Sequence, residues 1–104
     1  MEKIIYNKLV RDKIPEILDA KNVFYEKRIA SIEEYKIELI KKLNEEIREF
    51  LEDESIEELA DIIEVIEAFK QLPEYTDVEF VRNKKKQEKG GFYKKIILKG
   101  EYKK

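Results

Sequence analysis

Two pairs of acidic residues have the spacing that lets side chains on one helix converge. Glu46 and Glu49 are three residues apart, and so are Glu58 and Asp61. Residues at positions i and i+3 are neighbours on a helix surface, so each pair can present two carboxylates to one point. Carboxylate oxygens are the ligands that hard divalent cations such as Mg²⁺ and Mn²⁺ prefer. The spacing therefore suggests a metal site built from two facing helices.

The apolar neighbours of these pairs indicate that the carboxylates do not lie on solvated helix faces. A helical projection places Glu46 beside Leu39. The same projection places Glu58 beside Val65. The acidic residues expected in solvent on that second helix are Glu57, Glu64 and Glu67. Burying an unpaired carboxylate costs several kcal/mol or forces it to take up a proton, and a bound divalent cation would remove that cost.

Two simpler interpretations of these residues remain open. In a chain with 24 acidic residues, an isolated E-x-x-E spacing is commonly a solvated helix face. Glu58 also follows Ser55 by three residues, which is the capping-box spacing, and helix capping could be its whole role. The occurrence of two such pairs on consecutive helices favours the metal hypothesis.

The composition narrows the chemistry that is open to the chain. Its 104 residues include no Cys and no His, which excludes disulfides, thiolate chemistry and imidazole groups. The formal net charge is only −2, yet residues 33–67 hold 14 acidic and 4 basic side chains, and residues 82–104 hold 10 basic and 2 acidic ones. This segregation suits a short polyphosphate that carries Mg²⁺. A nucleic acid is not expected as the partner, because the acidic centre would repel a long polyanion.

The apolar segments of the sequence are too short for a membrane protein. No apolar run reaches the ~18 residues that a membrane-spanning helix needs, and Lys3, Lys8, Arg11 and Lys13 interrupt the start of the chain where a secretory signal would be apolar. We therefore expect a single domain over residues 1–104, in the cytoplasm and without membrane contact.

Helix-start signatures predict the elements that position the carboxylates. Ser31, Ser55 and Thr76 each precede a Glu by three residues, as an N-cap residue does in a capping box. Asp12 is expected to cap a shorter helix near the start of the chain. The helices are predicted over residues 13–21, 32–53, 56–70 and 77–89.

Two further segments are predicted to be strands. Residues 23–29 and 92–98 are rich in β-branched and aromatic side chains, and they would pair as a small ribbon against the helices. The predicted fold is therefore mainly α, a helical bundle with a small β-ribbon. The helix over 56–70 is apolar around most of its circumference, which predicts a homo-oligomer because so short a chain cannot bury that surface alone.

The acidic residues also resemble a known family signature. Glu45-Glu46-x-x-Glu49, followed after a short gap by Glu58-x-x-Asp61, is similar to the EExxE…ExxD motif of MazG-like nucleoside triphosphate pyrophosphohydrolases. The short gap requires a tight turn between the two helices. The resemblance implies the all-α NTP pyrophosphatase fold.

Motifs on either side of the acidic residues resemble one branch of that family. Residues 6–15, with the sequence YNKLVRDKIP, and residues 89–92, with the sequence KGGF, resemble a single-domain branch described as phosphoribosyl-ATP pyrophosphohydrolase-like. Together the similarity covers about residues 5 to 98. The family resemblance also points to a homodimer or a dimer of dimers.

The resemblance implies Mg²⁺-dependent hydrolysis of the bond between the α and β phosphates of a nucleoside triphosphate. The products would be a nucleoside monophosphate and pyrophosphate, the reaction would serve to clean the nucleotide pool, and Mn²⁺ could replace Mg²⁺. The implied metal ligands are Glu46, Glu49, Glu58 and Asp61, and the candidate general bases are Glu45 and Glu46. The candidate phosphate-binding residues are Lys8, Arg11, Lys13, Arg82, Lys85, Lys86 and Lys89.

An alternative function uses the basic C-terminal residues instead of the carboxylates. The chain would then be a non-catalytic helical adaptor or a nucleic-acid-binding module, with Phe92, Tyr93 and Tyr102 as candidate residues for base stacking. Metal-dependent release of pyrophosphate from nucleotides would distinguish the enzyme from this alternative.

Overall fold

The computed structural model of the protein describes residues 7–101. Tyr6, which opens the N-terminal motif, and Tyr102, a candidate stacking residue, lie outside these described residues. The chain divides into two compact units, Met1–Phe69 and Lys70–Lys104.

Helices dominate both units, which confirms the prediction of a mainly α fold. The first unit contains α1 (Ile14–Ala20), α2 (Ile32–Glu52) and α3 (Ile56–Lys70), whose last residue opens the second unit. The second unit continues with a short 3₁₀ helix (Pro73–Tyr75) and α4 (Val78–Lys89). Each observed helix end lies within one residue of its predicted position. Over the described range, no helix combines the length and the apolar character needed to cross a membrane.

The two serine caps of the long helices are confirmed. The Ser31 hydroxyl accepts a hydrogen bond of 3.2 Å from the backbone N–H of Glu34. The Ser55 hydroxyl accepts one of the same length from the N–H of Glu58. Each bond satisfies an N–H group that has no partner inside the helix, and such a cap contributes about 1 kcal/mol.

The other two predicted caps are wrong, and local turns explain both differences. Asp12 does not cap α1, because Lys13 occupies the N-cap position and the N–H of Ile14 donates to the carbonyl of Arg11 in a preceding turn. Thr76 does not cap α4, because its hydroxyl donates to the carbonyl of Pro73 in the 3₁₀ helix. The start of α4 therefore moves one residue along the chain, to an N-cap without a side-chain bond.

The predicted β-ribbon is also wrong within the described residues. Neither residues 23–29 nor residues 92–98 form a strand, and Phe24 and Phe92 are 94% and 98% exposed. The preference of aromatic and β-branched residues for strands reflects packing on a half-buried, pleated surface. Neither segment is hydrogen-bonded to a neighbouring strand, so no pleated surface forms on which these side chains could pack.

Side-chain bonds hold the segment between α1 and α2. Asn22 follows α1 with a φ of +56°, and its N–H and that of Val23 donate back into the last turn of the helix. The Tyr25 hydroxyl donates to the carboxylate of Asp19 at 2.7 Å. The guanidinium of Arg28 forms a two-bond ion pair with Glu34 in the first turn of α2.

A short connection sets the relation of α2 to α3. Only residues 53–55 separate the two helices, so the chain must reverse and the helices form an antiparallel hairpin. Leu39 on α2 and Val65 on α3 are buried apolar residues of the first unit. Glu46 is buried on the same helix as Leu39, which is an unusual position for a carboxylate.

Candidate metal centre

The hairpin brings the four predicted metal ligands together. α2 supplies Glu46 and Glu49, and α3 supplies Glu58 and Asp61. One carboxylate oxygen from each residue lies within 4.8 Å of those of the other three. We call these four residues the carboxylate cluster. Four hard oxygen donors that converge from two helices could hold a metal ion.

Two oxygens of the carboxylate cluster are buried without a hydrogen-bond partner among the described residues. They are Oε2 of Glu46 and Oε2 of Glu58. The side chain of Glu46 is almost fully enclosed, since the residue is only 6% exposed. A buried carboxylate oxygen without a partner is costly, whereas coordination to a cation would satisfy it. This arrangement fits a cation better than it fits a purely structural role.

The electrostatics of Glu46 point in the same direction. Burial raises the pKa of the Glu46 carboxyl, and the neighbouring carboxylate of Glu49 raises it further. The Lys42 ammonium, 3.3 Å from Oε1 of Glu46, partly opposes this rise in pKa. Burial and the Glu49 carboxylate thus both disfavour the charged form of Glu46, and a divalent cation bound at this point would favour it.

Glu45 lies next to Glu46 in sequence but is not one of the four clustered residues. The Lys8 ammonium donates to Oε1 of Glu45 at 2.8 Å, and Lys42 lies 3.6 Å from Oε2. The hydrogen bond from Lys8 holds the pKa of Glu45 below its usual value, because it stabilises the charged form. Glu45 therefore serves to hold two cationic side chains at the rim of the carboxylate cluster.

Cationic side chains and carboxylates line a common pocket of about 220 Å³. Arg11 reaches the pocket from the N-terminal motif, and its Nη2 donates to Oδ1 of Asp61 at 2.7 Å. The residues that line the pocket are Lys8, Val10, Arg11, Ile14, Lys42, Glu46 and Asp61. The pocket therefore combines carboxylates with three cationic side chains, Lys8, Arg11 and Lys42, which suit phosphate oxygens.

The remaining candidate phosphate-binding residues do not line this pocket. Lys13 is exposed at the N-cap of α1. On α4 in the second unit, Arg82 pairs with Glu79 at 3.1 Å, and the Lys86 ammonium lies 5.5 Å from the ring centre of Tyr93. The basic residues of α4 that were candidates are all exposed: Arg82, Lys85, Lys86 and Lys89. Their role in binding phosphate stays a prediction.

The sequence analysis missed one residue of the pocket that carries a charge. Lys42 contacts both Glu45 and Glu46, and it lines the pocket with Lys8 and Arg11. Its spacing of three and four residues from the two glutamates was a usable signal, because such pairs meet on a helix surface. Lys42 is therefore a new candidate for contact with an anionic ligand.

A scan against protein-family models finds no match for this chain, and searches of curated proteins and of solved structures find none either. The resemblance to MazG-like proteins accordingly stays a prediction. The chemistry of the carboxylate cluster and its cationic rim carries the functional inference.

Proposed function

We propose that the protein is a Mg²⁺-dependent nucleoside triphosphate pyrophosphohydrolase, which cleaves between the α and β phosphates and releases pyrophosphate. The observation that carries this proposal is the carboxylate cluster, four converging acidic side chains with two buried and unpaired oxygens. Cationic side chains at its rim suit the phosphate oxygens of the substrate.

In this proposal the carboxylate cluster holds the metal ion. Glu46, Glu49, Glu58 and Asp61 supply oxygen ligands, which suit Mg²⁺ and also Mn²⁺. When bound, such an ion polarises phosphate oxygens and lowers the pKa of a bound water. The burial of Glu46 limits solvent at this point, so charge interactions there are stronger than in water.

Three cationic side chains would orient the phosphate chain. Lys8, Arg11 and Lys42 share the pocket with Glu46 and Asp61, so an anion bound there would lie within reach of all three cationic side chains. Arg11 and Lys8 are partly exposed, which leaves both side chains free to shift from their carboxylate partners to a ligand. Charge-assisted bonds of this kind fix the orientation of the scissile phosphate.

The candidates to take the proton of the attacking water are Glu45 and Glu46. The pKa of Glu45 is lowered by its bond to Lys8, so this carboxylate is a weaker base. Burial raises the pKa of Glu46 in the metal-free chain, and in this proposal Glu46 is also a ligand of the metal ion. The chain has no His to take this role.

The test is metal-dependent release of pyrophosphate. The purified protein would be assayed with Mg²⁺ against normal, deoxy, oxidised and deaminated nucleoside triphosphates, with pyrophosphate and the monophosphate both detected. We expect turnover that requires the metal and that disappears in Glu49→Gln. Glu57→Gln is the matched control, because Glu57 is an exposed acidic residue of α3 outside the carboxylate cluster. Absence of turnover with every nucleotide, together with no stabilisation by Mg²⁺, would reject the proposal.

A further inference from the structure

Arg11 contacts the carboxylate cluster through a single hydrogen bond. Its Nη2 donates to Oδ1 of Asp61 at 2.7 Å. By contrast, the ion pair between Arg28 and Glu34 in the same unit has two bonds. A guanidinium and a carboxylate bind most firmly through two parallel bonds. Arg11 is therefore attached to Asp61 by less than the contact that a guanidinium can form.

The contact between Arg11 and Asp61 is also open to water. The two side chains are 56% and 36% exposed, respectively. Ion pairs with this exposure contribute little to stability, because water screens the charges and the side chains must give up rotational freedom. The backbone of Arg11 is held independently, since its carbonyl accepts the N–H of Ile14 at 3.1 Å. The guanidinium can therefore leave Asp61 without a change in the backbone before α1.

Arg11 and a metal ion would compete for the same carboxylate. Asp61 is one of the four residues whose oxygens lie within 4.8 Å of one another, and in the same cluster Oε2 of the buried Glu46 has no hydrogen-bond partner. A divalent ion held by the cluster would take an oxygen of Asp61 as a ligand and bring two positive charges where the guanidinium supplies one. Two cations at one carboxylate repel each other, so binding of the ion weakens the bond between Arg11 and Asp61.

The pocket offers Arg11 a second kind of partner. Arg11 lines it together with Lys8 and Lys42, and phosphate oxygens are acceptors that match the geometry of a guanidinium. Lys8 differs from Arg11, because its carboxylate partner Glu45 lies outside the carboxylate cluster. A metal ion in the cluster would therefore change the partner of Arg11 and leave that of Lys8 in place.

We propose that Arg11 exchanges partners when the metal binds: it is the counter-ion of Asp61 in the metal-free chain and a phosphate ligand in the metal-bound chain. While it is paired with Asp61, Arg11 adds little to the binding of an anion. The exchange makes Arg11 a specificity-determining residue, which favours a phosphate chain complexed with a divalent ion over the free anion. This inference rests on the metal site of the proposed function and not on the hydrolysis.

The first experiment measures the binding of Mn²⁺ alone to the full chain by isothermal titration calorimetry, without nucleotide. Arg11→Gln should bind Mn²⁺ about threefold more tightly than the wild type, since the ion no longer displaces an exposed ion pair. Lys8→Gln is the matched control, because it removes the same charge from the same pocket but its partner is Glu45, and it should change the affinity less. An unchanged affinity in Arg11→Gln, or an equal gain in Lys8→Gln, would overturn the exchange.

The second experiment measures the binding of inorganic phosphate to the full chain by phosphorus NMR, with and without saturating Mg²⁺. Arg11→Gln should lose about tenfold in phosphate affinity when Mg²⁺ is present, the value of one charge-assisted hydrogen bond, and far less when it is absent. The same substitution should thus tighten the metal and weaken the anion, whereas one that merely disturbs the fold weakens both. An equal loss of phosphate affinity with and without Mg²⁺ would show that Arg11 does not change partners.

These measurements distinguish failure of the exchange from failure of the proposed function. If Glu49→Gln binds Mn²⁺ as weakly as the wild type does, the carboxylate cluster is not a metal site and both proposals are rejected. If the wild type binds Mn²⁺ and releases pyrophosphate while Arg11→Gln shows neither change in affinity, only the exchange is rejected. If Arg11→Gln shows both changes and no nucleotide is hydrolysed, the exchange is supported and the hydrolase is not.

Discussion

Two regions of the molecule are rich in charge, but only one of them has its charges placed by helix packing. In the first unit, α2 and α3 hold the carboxylate cluster within 4.8 Å, and Glu46 is buried. In the second unit, the basic segment over residues 82–104 has only exposed side chains as far as the structure describes it. Both regions stand out equally in a count of charges along the sequence. The comparison teaches that a charge becomes part of a site when apolar packing fixes its position.

The largest expected effect is the loss of activity when the carboxylate cluster is neutralised. Glu49→Gln and Asp61→Asn should each lower kcat/KM by about 100-fold or more, because a metal ion contributes several kcal/mol to stabilising the transition state. Pyrophosphate release measures this loss. Lys85→Gln in the basic segment should cost far less, and an equal loss there would contradict the contrast between the two regions.

Stabilisation by metal is the next largest effect. Mg²⁺ or Mn²⁺ at about 100 times its Kd should raise the free energy of unfolding by about 2.7 kcal/mol, since the ion binds only the folded chain. Thermal unfolding with and without chelator measures the shift in Tm. Glu58→Gln should remove most of the shift, whereas Glu64→Gln, an exposed change on the same helix, should retain it.

Cations of the two regions should differ in their effect on substrate binding. Arg11→Gln and Lys42→Gln should raise KM by about tenfold, the value of one charge-assisted hydrogen bond, because both residues line the pocket beside Asp61 and Glu46. Steady-state kinetics separates this change in KM from a change in kcat. A similar rise in KM for Lys86→Gln would show that α4 also contacts the substrate.

The stability of the metal-free protein should depend on the charge of Glu46. The pKa of Glu46 is raised in the folded chain from the ordinary value of 4.5, so the protonated form favours folding. The stability is therefore highest below about pH 4.5 with respect to this group and falls as the pH rises through its raised pKa. Glu46→Gln should remove this dependence and raise the free energy of unfolding at neutral pH, because the neutral amide does not carry the cost of a buried charge. Chemical denaturation in chelator across pH provides the measurement, and Glu57→Gln should keep the wild-type profile.

The smallest expected effect is the loss of stability when the hydroxyl before α3 or the hydroxyl before α4 is removed. Ser55→Ala should lower the free energy of unfolding by roughly 0.5–1 kcal/mol, because its hydroxyl accepts the N–H of Glu58. Thr76→Ala should cost less, since the Thr76 hydroxyl lies outside α4 and bonds the carbonyl of Pro73. Urea denaturation of both variants measures the difference. Equal losses would mean that Thr76 supports α4 as much as Ser55 supports α3.

The features that could be predicted from the sequence are those that depend on neighbours along the chain. The helix bounds follow from apolar periodicity and from the hydroxyls of Ser31 and Ser55, which act within one turn. The carboxylate cluster could be predicted for the same reason, because a spacing of three residues fixes which side chains share a helix face. Only one further element is needed to bring the two acidic pairs together, the short turn at residues 53–55.

The predictions that proved wrong concern features that depend on partners distant along the chain or on competing local hydrogen bonds. Residues 23–29 and 92–98 have strand-like composition, but a strand exists only when a second backbone accepts its hydrogen bonds. Thr76 fits the capping pattern, yet its hydroxyl donates to the carbonyl of Pro73 and makes no capping bond to α4. Lys42 was not predicted, because a lysine three or four residues from glutamates is typical of a solvated helix face.

The short turn at residues 53–55 also has a consequence for the order of folding events. All four members of the carboxylate cluster lie between residues 46 and 61, so closing this hairpin requires only a small loop and little loss of chain entropy. Proteins rich in contacts this local fold quickly, so we expect the hairpin to form early. The repulsion among the four carboxylates would then act on the folding nucleus itself. A divalent cation should speed the folding of this chain as well as slow its unfolding.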